Sequence, residues 1–183
     1  MEISICLRAG AGFEPFYFGG LRVLTAGLLL LIWGLIRGKN ISLTKKDFIT
    51  LVGSGFLLWI GGNGLVVWAE KQVDSGFAAL VISSIPIWVT FIDTLLDSKV
   101  PSLRVLLSLL IGFLGIFTLS VPLFSNGVKA DLLSVLALLL ASISWSAGLV
   151  LQTRRPVALS QGISSGYQQL FGGIFFILIA VLI

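Results

Sequence analysis

The sequence predicts an all-α membrane protein, a polytopic bundle of transmembrane helices, and three observations carry that reading. First, 57% of the 183 residues are hydrophobic and 11% are charged, with a mean hydropathy of +1.08. A soluble domain is about 45–50% apolar and about 25% charged. So few charges cannot cover a water-facing surface of this size, and the same figures exclude intrinsic disorder. Second, the apolar residues fall in runs of about 20, the length that crosses a bilayer as a helix. Third, the cations are shared unequally between alternate connections.

The runs are residues 15–37, interrupted only by Arg22; 48–69, ending at Glu70-Lys71; 76–96, closed by Asp97; 103–124, with Pro122 near its end; 132–152, closed by Arg154-Arg155-Pro156; and 163–183. Residues 3–13 are too short to cross alone and carry Arg8. They lack the basic start and long apolar run of a secretion signal and read as the outer half of a helix. Uninterrupted stretches such as Leu28-Leu29-Leu30-Leu31 exclude a β-barrel, whose strands alternate every second residue.

Breakers mark the connections: Gly38-Lys39-Asn40, Asp74-Ser75, Val100-Pro101-Ser102, Asn126-Gly127 and Pro156. Such short links make neighbouring helices antiparallel, so alternate loops share one side. One set holds Arg37, Lys39, Lys45, Lys46, Lys99, Arg104, Arg154 and Arg155, and the other holds Lys71 and Lys129. Cytoplasmic loops are the cation-rich ones, which puts the Gly38 loop inside.

The chain has no His and one Cys, Cys6. That removes the commonest general base, an intrachain disulfide and a thiolate metal cage. No Ser/His/Asp set, metal-ligand cluster or phosphate loop is present, so the reading is not an enzyme and needs no cofactor and no metal. The net charge of +4 resides in membrane-flanking loops and does not point to nucleic acid.

Small residues recur at helical spacing: Gly20, Gly27 and Gly34 on the first span; Ser108, Gly112 and Gly115 on the fourth; Ala137, Ala141, Ser144 and Gly148 on the fifth. They predict close helix–helix seams. On the third span, Ser83, Pro86, Thr90, Asp93 and Asp97 share one face. Pro86 predicts a kink, because it leaves the Ile82 carbonyl without its helical donor. Asp93 either pairs with a loop cation (Lys45, Lys46 or Arg104) or faces a hydrated cavity and binds a cation or proton. Ser83, Thr90 and Asp93 are expected to face water beside Trp59 and Asn63. Those two share a face of the second span with Val66 and Glu70, among Gly61, Gly62 and Gly64, which allow either tight packing or room for a ligand. Arg22 either pairs with Glu14 or Glu70 or offers an anion-binding fork. Trp145, Gln152, Gln161, Gln168 and Gln169 either bond between helices or line a polar cavity.

Several stretches resemble the EamA branch of the drug/metabolite transporter superfamily. GGLRVLTAG at 19–27 is similar to its second helix, and NGLVVWAEKQVDSGFAALVISSIPIW at 63–88 to its third and fourth. IGFLGIFTL at 111–119 resembles its fifth helix, ASISWSAGLVLQTRRP at 141–156 the start of its second half, and GYQQLFGG at 166–173 its seventh. The resemblance implies two inverted five-helix repeats around a central cavity. Residues 1–125 are then the first repeat, with an incomplete first helix, and residues 130–183 the first two spans of the second. The chain is then half a helix plus six of an expected ten, apparently truncated. It also implies a secondary transporter, an exporter of small metabolites such as amino acids, multi-pass in a bacterial inner membrane, with a homodimer as one open assembly. The rival reading is a non-transporting membrane fragment or subunit that packs with a partner bundle.

The topology is testable. Ser42→Cys in a Cys6→Ser background is expected to resist a membrane-impermeant thiol reagent applied from outside; efficient labelling there would overturn the orientation.

Overall fold

The computed structural model describes residues 15–98, 100–125 and 131–182. The 3–13 run, Glu14, Lys99, Lys129 and the expected repeat boundary at 126–130 lie outside the described residues. α1 is Pro15–Ile36. α2 starts as Lys45–Gly55, widens into a π-helix over Phe56–Gly64 and finishes as Leu65–Ala69. The third span is divided into α3, Ser75–Ile82, and α4, Ile85–Asp97. α5 is Leu103–Ser125, α6 Leu132–Arg154 and α7 Gln161–Leu182.

Five stretches are long and apolar enough to cross a membrane: Tyr17–Ile36, Lys45–Ala69, Ser75–Asp97, Leu132–Arg154 and Gln161–Val181. Leu103–Thr118 is a further apolar helix. The helix of the second span begins earlier than its apolar run because Thr44 caps it. The Asp47 amide donates to Thr44 Oγ1 at 3.2 Å, and the Asp47 carboxylate accepts from the Thr44 amide at 3.4 Å. This reciprocal box satisfies two otherwise unpaired amides, so Lys45 and Lys46 become helical. The turn after α1 closes on Gly38, whose φ of +63° would strain a residue with a Cβ.

The helices do not pack in chain order. α1 packs mainly on α7, and α7 in turn on α2. α6 packs on α2 and on both α3 and α4, and α5 rests on α3. The two helices from the second half of the chain are thus inserted between spans of the first half.

Glycine makes this insertion possible. A Cβ built at Gly27 would stand 2.8 Å from the Gly166 carbonyl oxygen and 2.9 Å from the Leu170 nitrogen. At Gly20 it would meet Ile177 at 2.9 Å and the Gly173 carbonyl at 3.3 Å, and at Gly34 it would collide with Ile163. The expected seam on α1 is therefore a backbone contact with α7. Ala137, Ala141 and Gly148 on α6 are likewise buried. The expected α5 seam is corrected: nothing lies within 4 Å of a Cβ built at Gly112 or Gly115, and Ser108 is exposed. The spacing is right for a seam, but among the described residues no helix covers that face.

Gly27→Ala is expected to destabilise the chain by about 1–3 kcal/mol, the usual cost of overpacking against atoms that cannot yield. Gly112→Ala is expected to stay within about 0.5 kcal/mol of the parent. Denaturant titration of the two purified variants in one detergent checks the contrast.

Candidate functional site

The π-helix widens α2 in mid-span, and wide turns of this kind are frequent at functional sites. Its looser winding brings the Asn63 side-chain amide to the Leu58 carbonyl, five residues back, at 3.3 Å. The glycines on this segment admit α6 rather than a ligand. Ser144 fits against Gly61 and donates to the Leu57 carbonyl at 2.9 Å. The Trp145 ring lies on Gly62, 3.1 Å from where a Cβ would be. On the α7 side the Trp59 indole packs on Gly172. Trp59 thus faces α7 and Trp145 lies on the α6 side of the same turn, and Trp59, Asn63 and Trp145 are each half-buried.

Gln168 takes the helix-to-helix use of an intramembrane amide. It is 6% exposed, and its Nε2 donates to Ser54 Oγ at 2.7 Å, while Ser54 donates to the Thr50 carbonyl at 2.7 Å. Arg22 is exposed near the start of α1, and Glu70 is half-buried just beyond the end of α2.

The third span is arranged differently from its expectation. Its break falls at Ser83-Ser84, just before Pro86 in the first turn of α4, as the proline predicts. Ser83 donates to the Leu80 carbonyl at 2.5 Å, Ser84 to Val81 at 2.6 Å and Thr90 to Pro86 at 2.8 Å. Each hydroxyl is satisfied within its own span. The stripe does not adjoin Trp59 and Asn63 as expected, because α6 packs on both elements and stands between them.

Asp93 pairs with a cation, but not with Lys45, Lys46 or Arg104. Arg154 Nη2 donates to Asp93 Oδ1 at 2.9 Å and its Nε to the same oxygen at 3.1 Å, while its Nη1 donates to Asp97 Oδ1 at 2.6 Å. The reason is helical: α6 extends through Arg154 itself, which turns a residue read as a loop cation back towards α4. The sequence reading also missed Ser142 and Ser146. Their hydroxyls lie 3.4 Å from the Val81 carbonyl and 3.1 Å from the Ile85 carbonyl, on either side of the break. Their spacing of four on α6, facing a proline-broken neighbour, was the available signal. Beside the break, Ser83, Pro86 and Ile87 share a cavity of about 440 Å³ with Arg104, Ser108 and Gly112 of α5, among others.

Interleaved apolar helices of membrane-crossing length define a polytopic α-helical membrane protein, with a widened turn in the middle of α2 and an ion-paired end on α4; among the described residues no group of His, Cys, Asp and Glu could hold a metal ion. Residues 3–121 match the EamA-like transporter family, and the chain belongs to that family. It is 30% identical over 179 residues to the "Uncharacterized inner membrane transporter YedA" of Escherichia coli strain K12, across 97% of this chain and 56% of that protein. The YedA of Escherichia coli O157:H7 is similar to the same extent. The "Uncharacterized transporter YoaV" of Bacillus subtilis strain 168 is 24% identical over 131 residues, across 72% of this chain and 45% of that protein. The chain therefore spans about half the length of the curated relatives it matches. No solved structure matches it.

Gln168→Leu keeps the volume and removes the amide. It is expected to cost about 0.6–1.7 kcal/mol, the range of interhelical hydrogen bonds in membranes, measured by denaturant titration in detergent. Gln161→Leu, at an exposed position at the start of α7, serves as the control.

Proposed function

We propose that the chain acts as a secondary transporter in a bacterial inner membrane, exporting small polar or amphipathic metabolites such as amino acids. Its two parts, residues 1–125 and 130–183, correspond to a first repeat and the beginning of a second, and access alternates as one part rocks against the other. The observation that carries this reading is the widened turn in the middle of α2, which α6 meets on one side and α7 on another. That turn carries an indole and an amide, Trp59 and Asn63, and the Trp145 ring lies on its Gly62. An indole offers an apolar face with one donor, and an amide offers both donor and acceptor. That set suits a small ligand with a polar end and an apolar body. Ser83, Thr90 and Asp93 lie across α6 from this turn and form a separate polar face, and Gln168 holds α7 against α2. Membership of a transporter family supports the reading, as do the inner-membrane transporters among the relatives.

The test is a comparison of culture media. Cells producing the chain are expected to enrich at least one small metabolite outside relative to cells with an empty vector. Trp59→Ala should reduce that enrichment about tenfold, the factor that about 1.4 kcal/mol of lost aromatic contact carries. A medium unchanged by the chain would overturn the transporter reading in favour of a non-transporting subunit that packs with a partner bundle.

A further inference from the structure

We infer that α4, Ile85–Asp97, is a hinged lever at the cytoplasmic face, latched shut by Arg154 and free to swing about the break at Ser83-Ser84-Pro86. Four independent features of the structure meet in this one element.

The first is the hinge. Ser83 and Ser84 leave the regular helix with ψ of −10° and −9°. The Ser84 amide bonds three residues back, to Val81 at 3.1 Å, and the Ile87 amide does the same to Ser84 at 2.9 Å. Pro86 supplies no amide, so the hydrogen-bond ladder is already interrupted there and bending need not break it.

The second is the absence of fully buried residues on the lever. None of the residues of α4 is buried, whereas α3 on the other side of the break buries Ala78 and Leu80. α4 packs along α6 through half-buried side chains, so its departure parts that contact without uncovering a fully buried residue, while α3 stays anchored.

The third is the latch. One guanidinium bridges Asp93 and Asp97, a turn apart on the distal half of α4, and its Nη2 also approaches the Asp93 carbonyl at 3.5 Å. The side chains of Arg154, Asp93 and Asp97 are 33%, 45% and 49% exposed, so water and salt reach the pair. A contact of that kind orients an element without fixing it permanently.

The fourth is what happens to polar groups when the lever moves. Ser142 and Ser146 touch the carbonyls at the hinge, but each hydroxyl also bonds its own helix, to Leu138 at 2.9 Å and to Ser142 at 2.7 Å. A hydroxyl has one proton to share between the two acceptors. When α4 departs, the proton remains with the shorter bond and no donor on α6 is stranded in the membrane. The space is present as well: the cavity of about 440 Å³ separates the hinge from α5, whose Gly112 presents no side chain there.

The lever follows from hinge, latch and space, and stands whether or not the substrate reading above holds. Its test uses spin labels at Leu95→Cys on α4 and Thr153→Cys on α6, in a Cys6→Ser background, with the purified chain in lipid nanodiscs. α4 is about 20 Å long, so a tilt of about 15° moves its end by about 5 Å. The parent is expected to give one short distance. Arg154→Gln should add a population about 5 Å longer, and Pro86→Ala in that variant should suppress it by mending the hinge. Raising the salt from 0.05 M to 1 M should populate the longer distance in the parent, so the measurement does not depend on any variant folding. A single unchanged distance across the salt series would overturn the lever. So would a second population in Arg154→Gln that ignores Pro86→Ala. A charge exchange, Asp93→Arg with Arg154→Asp, should return most of the chain to the short distance; failure of that rescue would show that Arg154 packs there rather than latches.

Discussion

The bundle depends on the approach of antiparallel helices to backbone distance. In lipid there is no hydrophobic gain in pressing one leucine-covered helix on another, so association rests on close packing and on hydrogen bonds between helices. α1 meets the rest of the molecule chiefly through α7, and the meeting consists of glycine against carbonyl. A Cβ at Gly27 or Gly20 would stand inside van der Waals distance of α7. The seam between α6 and the π-helix works in the same way with the partners reversed, since Leu57 and Leu58 close on Gly148 while Ser144 and Trp145 close on Gly61 and Gly62. Because α6 and α7 are interposed between first-half spans, these two seams also hold those spans in place.

The spans were legible in the sequence because a bilayer imposes length and charge limits on every crossing. The helices match the apolar runs to within a few residues; α2 starts earlier because Thr44 caps it, and α6 runs on through Arg154. Partners were not legible. Ser108, Gly112 and Gly115 have the same kind of spacing as Gly20, Gly27 and Gly34, yet one set is open and the other is in backbone contact. Spacing states that a face can pack, not what meets it. The π-helix is illegible for a related reason: apolar spacing reads with the ordinary helical period of 3.6, and over Phe56–Gly64 the winding is wider. Gly61, Gly62 and Gly64 were the visible sign, and they read equally as packing or as room for a ligand.

The polar residues of the third span divide by chemistry. A serine or threonine in a helix can turn its proton onto a carbonyl three or four residues back, and Ser83, Ser84, Thr90 and Thr94 all do so. A hydroxyl stripe is therefore compatible with lipid and is weak evidence for water. A carboxylate has no such local solution, because it only accepts, and the helix amides around it are already used. Asp93 and Asp97 had to be met from outside α4, and the guanidinium of Arg154, with its fixed fork of donors, meets both. Lys45 and Lys46 lie at the start of α2, and a lysine carries no fork that spans two acids.

Two kinds of contact with different tolerance for movement therefore coexist in the molecule. The glycine seams admit no small displacement, because backbone meets backbone and the attraction is lost within an ångström of separation. The contact between α4 and α6 tolerates displacement, because its charges reach water and Ser146 keeps a second acceptor. α3 shares its span with α4 but buries Ala78 into the cluster around Ala69, Ala137 and Leu138. The rigid and the movable parts of the third span thus meet at Ser83-Ser84, and the division follows from one imino acid, two serines on a neighbour and one arginine. A continuous helix with the same apolar faces would have to tilt as a whole, which would pull α3 out of that buried cluster. The break lets α4 move without that cost, so in this bundle the proline separates an element that holds the fold from one that can change it.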